Sequence, residues 1–92
     1  MPPRRRTKPR SPLHQALGEA IAQLREEAGL TLEQLADKAD MRFQLVSDLE
    51  RGTTNPMLTT LARISAGLGI ELSDLVERTE RIQRAQGTNG ES

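Results

Sequence analysis

The 92-residue chain contains no cysteine, no tryptophan and no tyrosine, and only one phenylalanine and one histidine. Without cysteine there is neither a disulfide framework nor a thiolate metal site. The single histidine, His14, cannot build a metal site or a catalytic pair with another histidine. No apolar run approaches the roughly 18 residues of a membrane span, and no signal-like stretch follows the basic N-terminus. These absences predict a soluble, cytoplasmic chain with no cofactor, no metal and no membrane partner. Phe43 is the lone aromatic, so the core must come from Leu, Ile, Val, Ala and Met. A chain this short buries only a modest core. Neither a pocket-forming size nor a paired nucleophile and base is evident, which argues against an enzyme and against a small-molecule ligand.

Charge is present in quantity but unevenly placed. The formal net charge is zero, yet residues 1–12 carry Arg4, Arg5, Arg6, Lys8 and Arg10 and no acid, a local charge of +5. The remaining 80 residues hold 8 bases and 13 acids, a balance of −5. The first 12 residues also hold four of the five prolines and no apolar residue but Met1. Such a segment buries too little surface to offset its ordering entropy, so residues 1–11 read as a disordered basic arm. A basic arm on an acidic body suits a polyanionic partner.

Beyond the arm, apolar residues recur at three- and four-residue spacings, the mark of amphipathic helices. Ser11-Pro12 opens the first helix, with Leu13, Leu17, Ala20, Ile21, Leu24 and Ala28 on one stripe and Gly29 as the stop. Thr31 and Gln34 form a capping box for a second helix that buries Leu35, Ala36, Ala39 and part of Leu32. Asp40 occupies a tight turn, where Asp tolerates left-handed geometry. A third helix spans about Arg42 to Arg51, buries Leu45, Val46 and Leu49, and stops at Gly52. Asn55-Pro56 is expected to start the fourth, with Met57, Leu58, Leu61, Ala62, Ile64 and Leu68 as its apolar positions and Gly67 weakening its last turn. Ser73 is expected to cap the fifth, with Leu75 and Val76 facing inward and the register continuing through Thr79 and Ile82. Met41 and Met57 read as core or interface filler, and His14 as a surface residue. The expected architecture is an all-α, compact five-helix domain over residues 12–77, and residues 78–92 form a helix extension and a disordered tail.

The segment from Thr31 to Pro56 carries the functional signal. Two short helices joined by a tight turn present the second of them to the major groove of DNA. Burying Leu45, Val46 and Leu49 leaves Phe43, Gln44, Ser47, Asp48 and Arg51 on the opposite side of that helix. Glutamine can read adenine bidentately, serine can donate or accept, and arginine binds guanine or phosphate. Phe43 suits a thymine methyl, and Asp48 can accept from cytosine N4.

The stretch from Leu17 to Glu77 resembles the phage-repressor, or XRE-type, helix-turn-helix family, and is similar to the controller proteins of restriction–modification systems. The resemblance rests on Leu35-Ala36 with Ala39, then Val46-Ser47 with Leu49-Glu50-Arg51-Gly52. Asn55-Pro56, Leu61-Ala62, Leu68-Gly69-Ile70 and Leu75 complete it. It implies five helices, the third one in the major groove, and a homodimer on a two-fold symmetric site. It also implies a buried ion pair between the first and third helices, at Arg25 and Glu50. Asp40 departs from the usual Gly, Arg42 from the usual Ser or Thr cap, and Leu32 from a frequent Gln that contacts phosphate.

The resulting expectation is a sequence-specific, nucleoid-associated regulator that binds double-stranded DNA and performs no chemistry. The third helix, with Arg42 and Arg51 flanking, reads bases. The arm and the loop of Thr53, Thr54 and Asn55 anchor phosphates. Leu75, Val76 and Ile82 are the expected dimer contacts. The rival expectation is a protein-interaction module, such as an antitoxin or an adaptor, whose acidic body docks a basic partner.

Overall fold

A computed structural model describes the backbone of residues 8–90 and the side chains of residues 8–86. Arg4, Arg5 and Arg6 of the arm lie outside the described residues. Five helices occupy this span: α1 Pro12–Glu27, α2 Leu32–Ala39, α3 Phe43–Arg51, α4 Leu58–Leu68 and α5 Leu72–Gly90.

The helix ends follow local chemistry. Ser11 caps α1 by accepting the His14 amide at 3.1 Å, and Pro12 fills the first helical position, where no N–H is needed. Thr31 and Gln34 make the reciprocal capping box of α2, at 3.0 and 2.9 Å. Asp40 closes α2 in the left-handed region, at φ 57° and ψ 51°. Where a glycine would sit without strain, the Arg63 guanidinium of α4 donates to the Asp40 carbonyl and lies 3.5 Å from its carboxylate. Arg42 precedes α3 without a side-chain cap, as its chemistry dictates.

Two helix starts differ from the sequence expectation. α4 begins at Leu58, with Met57 at its N-cap, instead of at Asn55-Pro56. The Asn55 side chain that would cap an earlier start is bonded to His14 instead. α5 begins at Leu72, and Ser73 is inside it rather than capping it. The Asp74 carboxylate reaches back to the Glu71 amide at 3.0 Å and fixes the earlier start.

The core joins Ala20 and Ile21 of α1 to Leu35, Ala36, Val46, Leu49, Ile64, Leu68 and Leu75. Leu45 packs at its edge, half-buried. Five residues expected on inward stripes are exposed instead: Leu13, Ala28, Leu58, Ala62 and Val76. Met57 is exposed as well. Leu13, Met57, Leu58 and Val76 sit at helix starts or on outer faces, past the reach of the core.

Close helix crossings depend on glycine. A methyl group at Gly18 would collide with the backbone carbonyl of Glu50, so α1 crosses α3 nearly backbone to backbone there. Gly67, expected to weaken α4, lets that helix approach Ala39 and Leu35 of α2 instead. α5 lies along α1. Arg78 donates to both Glu27 carboxylate oxygens, at 2.8 and 3.1 Å, and to Gln23 at 3.0 Å. Gln86 reaches Glu19 at 3.0 Å, and Ile82 packs against the core. The stretch from residue 78 is therefore helical and folded onto its own chain. Residues 87–90, expected to be disordered, continue α5, while Glu91 and Ser92 lie outside the described residues.

Candidate nucleic-acid interface

α3 is amphipathic over nine residues, and its two faces have separate tasks. Val46 and Leu49 are buried, and Glu50 joins them at the rear of the helix. Arg25 of α1 donates to Glu50 through Nε at 2.6 Å and Nη2 at 3.2 Å. Its Nη1 donates to the Leu30 carbonyl at 2.9 Å. One guanidinium thus makes the pair between α1 and α3 that the resemblance implies, and ties the α1–α2 loop to them as well. Its hydrogen bond to Glu50 raises the Arg25 pKa above the ordinary value, with burial opposing. The pair seats α3 at a fixed angle, which is the role such pairs serve best.

The outward face carries Arg42, Phe43, Gln44, Ser47, Asp48 and Arg51 together. Phe43 is 46% exposed, an unusual position for the lone aromatic of a chain. Gln44 donates to Asp48 at 3.1 Å, and Arg51 donates to Asp48 at 2.7 Å and to Ser47 at 3.1 Å. Arg51 thus pairs with the carboxylate and offsets part of its charge. These groups supply donors, acceptors and an apolar ring on one helix, the set that major-groove edges require.

The loop after α3 closes the lower end of this face. Thr53 bonds the Asp48 carbonyl through both its amide, at 3.1 Å, and its hydroxyl, at 3.3 Å. Thr54 is half-buried and Asn55 exposed. Asn55 Oδ1 lies 2.9 Å from His14 Nε2, and His14 Nδ1 lies 2.6 Å from Ser11 Oγ. With Nε2 protonated, the ring donates to Asn55 and accepts from the Ser11 hydroxyl. The Arg10 amide donates to the Gly52 carbonyl at 2.8 Å, so the root of the arm is fixed beside the end of α3. Gly52 turns at φ 75°, and a Cβ there would press on the His14 carbonyl, so the contact demands glycine. Lys8 and Arg10 are exposed beside it.

His14, expected at the surface, is half-buried and bridges to Asn55. No local signal marks a contact between residues 41 positions apart. The expected dimer residues are not brought together: Leu75 is fully buried, Ile82 packs on the protomer's own core, and only Val76 is exposed. No group of acidic, histidine or cysteine side chains that could hold a metal exists among the described residues. No helix among them is long and apolar enough to cross a membrane.

This arrangement, a fixed second helix behind a left-handed turn with a polar outer face, defines a helix-turn-helix protein. The chain belongs to the helix-turn-helix family, whose model matches residues 21–75, and within it to the XRE type. It is 44% identical over 64 residues to the HTH-type transcriptional regulator DdrOP3 of Deinococcus deserti, covering 70% of this chain and 50% of that one. The chain spans about half the length of such curated relatives. Among solved structures it is similar to the clp gene regulator ClgR of Corynebacterium glutamicum, with 28% identity and a TM-score of 0.80. That match covers 86% of this chain and 84% of ClgR. The restriction–modification controller protein C.Esp1396I, solved as a tetramer on its natural 35 base-pair operator, matches with 27% identity and a TM-score of 0.75. That match covers 79% of this chain and 96% of the controller. These proteins are named as regulators and controllers, not as enzymes.

Proposed function

We propose that this chain is a sequence-specific, double-stranded DNA-binding module of a transcriptional regulator, acting as a homodimer on a two-fold symmetric operator. The observation that carries the reading is the outer face of α3, where Phe43, Gln44, Ser47, Asp48 and Arg51 stand together on a helix braced from behind. Arg42 and the loop of Thr53, Thr54 and Asn55 border that face and suit phosphates. The Arg10 amide roots the arm beside Gly52, and the exposed Lys8 and Arg10 suit phosphates of the same duplex. A regulator of this kind acts at the nucleoid, in the cytoplasm.

One such helix reads only a few base pairs, and two helices one DNA turn apart read a full site. The surface best suited to a second copy is apolar and lies on α1, α4 and α5. Leu13 and Val76 line a shallow groove with Leu17 and Leu61, and Leu58 lies one turn before Leu61. Leu58 and Met57 are each 69% exposed, a heavy apolar exposure for a monomer. This surface replaces Leu75 and Ile82 in the proposed dimer.

Selection of bound duplexes from a random pool tests the reading. An enriched, two-fold symmetric sequence supports it, and no enrichment over input points to the protein-interaction rival.

A further inference from the structure

The hydrogen bonds on the outer face of α3 converge on a single carboxylate oxygen. Asp48 Oδ1 accepts from Gln44 Nε2 at 3.1 Å and from Arg51 Nη2 at 2.7 Å. Arg51 Nη1 donates in turn to Ser47 Oγ at 3.1 Å. The residues stand three and four apart, the spacing at which helical side chains meet. The network lies on the outer face of α3, apart from the buried Val46 and Leu49.

Its chemical effect falls on the arginine. An unrestrained arginine on a helix samples many rotamers and swings readily to the nearest phosphate, whatever the sequence. Here the guanidinium is held at both terminal nitrogens, and the two contacts use two of its five N–H donors. Three donors remain for a ligand. Guanine offers two adjacent acceptors on its major-groove edge, O6 and N7, and a bidentate arginine is their commonest partner. A held arginine meets such a base in one register, whereas a free one rewards any sequence. The carboxylate also repels phosphate, which lowers affinity for DNA that lacks the matching base.

We infer that Asp48 is a positioning residue that aims Arg51 at a guanine, so that the two side chains read one base pair as a unit. The inference rests on the DNA-reading role proposed above and deepens it by naming the base.

Duplex selection with the parent, Asp48→Ala, Asp48→Asn, Arg51→Ala and the Asp48→Ala/Arg51→Ala double variant tests it. The parent should prefer guanine by about tenfold or more at one position in each half-site, the discrimination expected of a bidentate contact. Arg51→Ala should abolish that preference, and Asp48→Ala should cut it below about threefold while raising affinity for random duplex. Asp48→Asn, which keeps an acceptor at Oδ1, should retain part of it and serves as the comparison should Asp48→Ala unfold. The double variant should match Arg51→Ala. A guanine preference unchanged in Asp48→Ala, or surviving Arg51→Ala, overturns the inference while leaving DNA reading intact. A parent that enriches no sequence overturns the DNA-reading proposal, and this inference with it.

Discussion

Arg25 and Glu50 form a two-point ion pair, 2.6 and 3.2 Å, that joins α1 to the rear of the helix whose front faces outward. Their side chains are only 15% and 12% exposed, so neither can recover full hydration if the other is lost. Glu50→Gln should therefore lower unfolding free energy by roughly 2–4 kcal/mol, somewhat less than for a fully buried pair. The denaturant midpoint reads it, and an unchanged midpoint would make the pair superficial.

The clasp between Glu27 and Arg78 should give stability an acid limb. Hydrogen bonding to Arg78 lowers the Glu27 pKa below its ordinary 4.5, against a smaller effect of burial. A depressed carboxylate pKa adds stability above the unfolded-state value, and that stability disappears as pH falls through the folded value. Glu27→Gln should be less stable than the parent at pH 7 and converge with it below the folded pKa of Glu27. Urea midpoints across that range decide it. A gap that stays constant with pH would show that the carboxylate charge does not hold α5.

Association should depend on the exposed apolar surface and not on the α5 extension. Leu58→Glu places a charge where Leu58 is 69% exposed, so the protomer should stay folded while the dimer dissociates. Ile82→Ala should instead destabilise the protomer by about 1–2 kcal/mol, since Ile82 packs on its own core. Sedimentation at micromolar concentration separates the two. A dimer that survives Leu58→Glu and is lost in Ile82→Ala would restore the α5 interface.

The arm should supply affinity without sequence preference. Each phosphate that it neutralises adds roughly 0.9 to the slope of log affinity against log salt. Deleting residues 2–8 keeps the Arg10–Gly52 hydrogen bond and removes four of the five bases in the arm. Binding to all duplexes should weaken and the salt slope flatten, with the order of site preference unchanged. An identical slope would leave the arm without a role.

The fold is most legible in the sequence where structure is set by neighbours. The Ser11 cap, the Thr31–Gln34 box, the Asp40 turn and the Gly52 stop each need only three or four residues to specify them. The resemblance added the Arg25–Glu50 pair, which no local pattern encodes. What stayed hidden depends on partners remote in sequence. Asn55-Pro56 reads as a helix start, but His14 claims the Asn55 side chain, and nothing near Gly18 in the sequence marks the Glu50 carbonyl that crosses it. Leu75, Val76 and Ile82 share a stripe on paper, yet the protomer's own core takes up two of them once α5 folds onto it. On α3 the outer face was legible as a set of residues, but not the convergence of Gln44 and Arg51 on Asp48.

Whether α3 reads bases is measured most directly by Gln44→Ala. Gln44 is exposed, away from the core, so its removal should leave the fold unchanged. Binding of parent and variant to the selected duplex and to a scrambled duplex is compared at one fixed salt concentration. A loss of about 1–3 kcal/mol on the selected duplex, with little change on the scrambled one, is the predicted result. Equal losses on both duplexes would contradict it, because Gln44 would then seat the helix on DNA without reading a base.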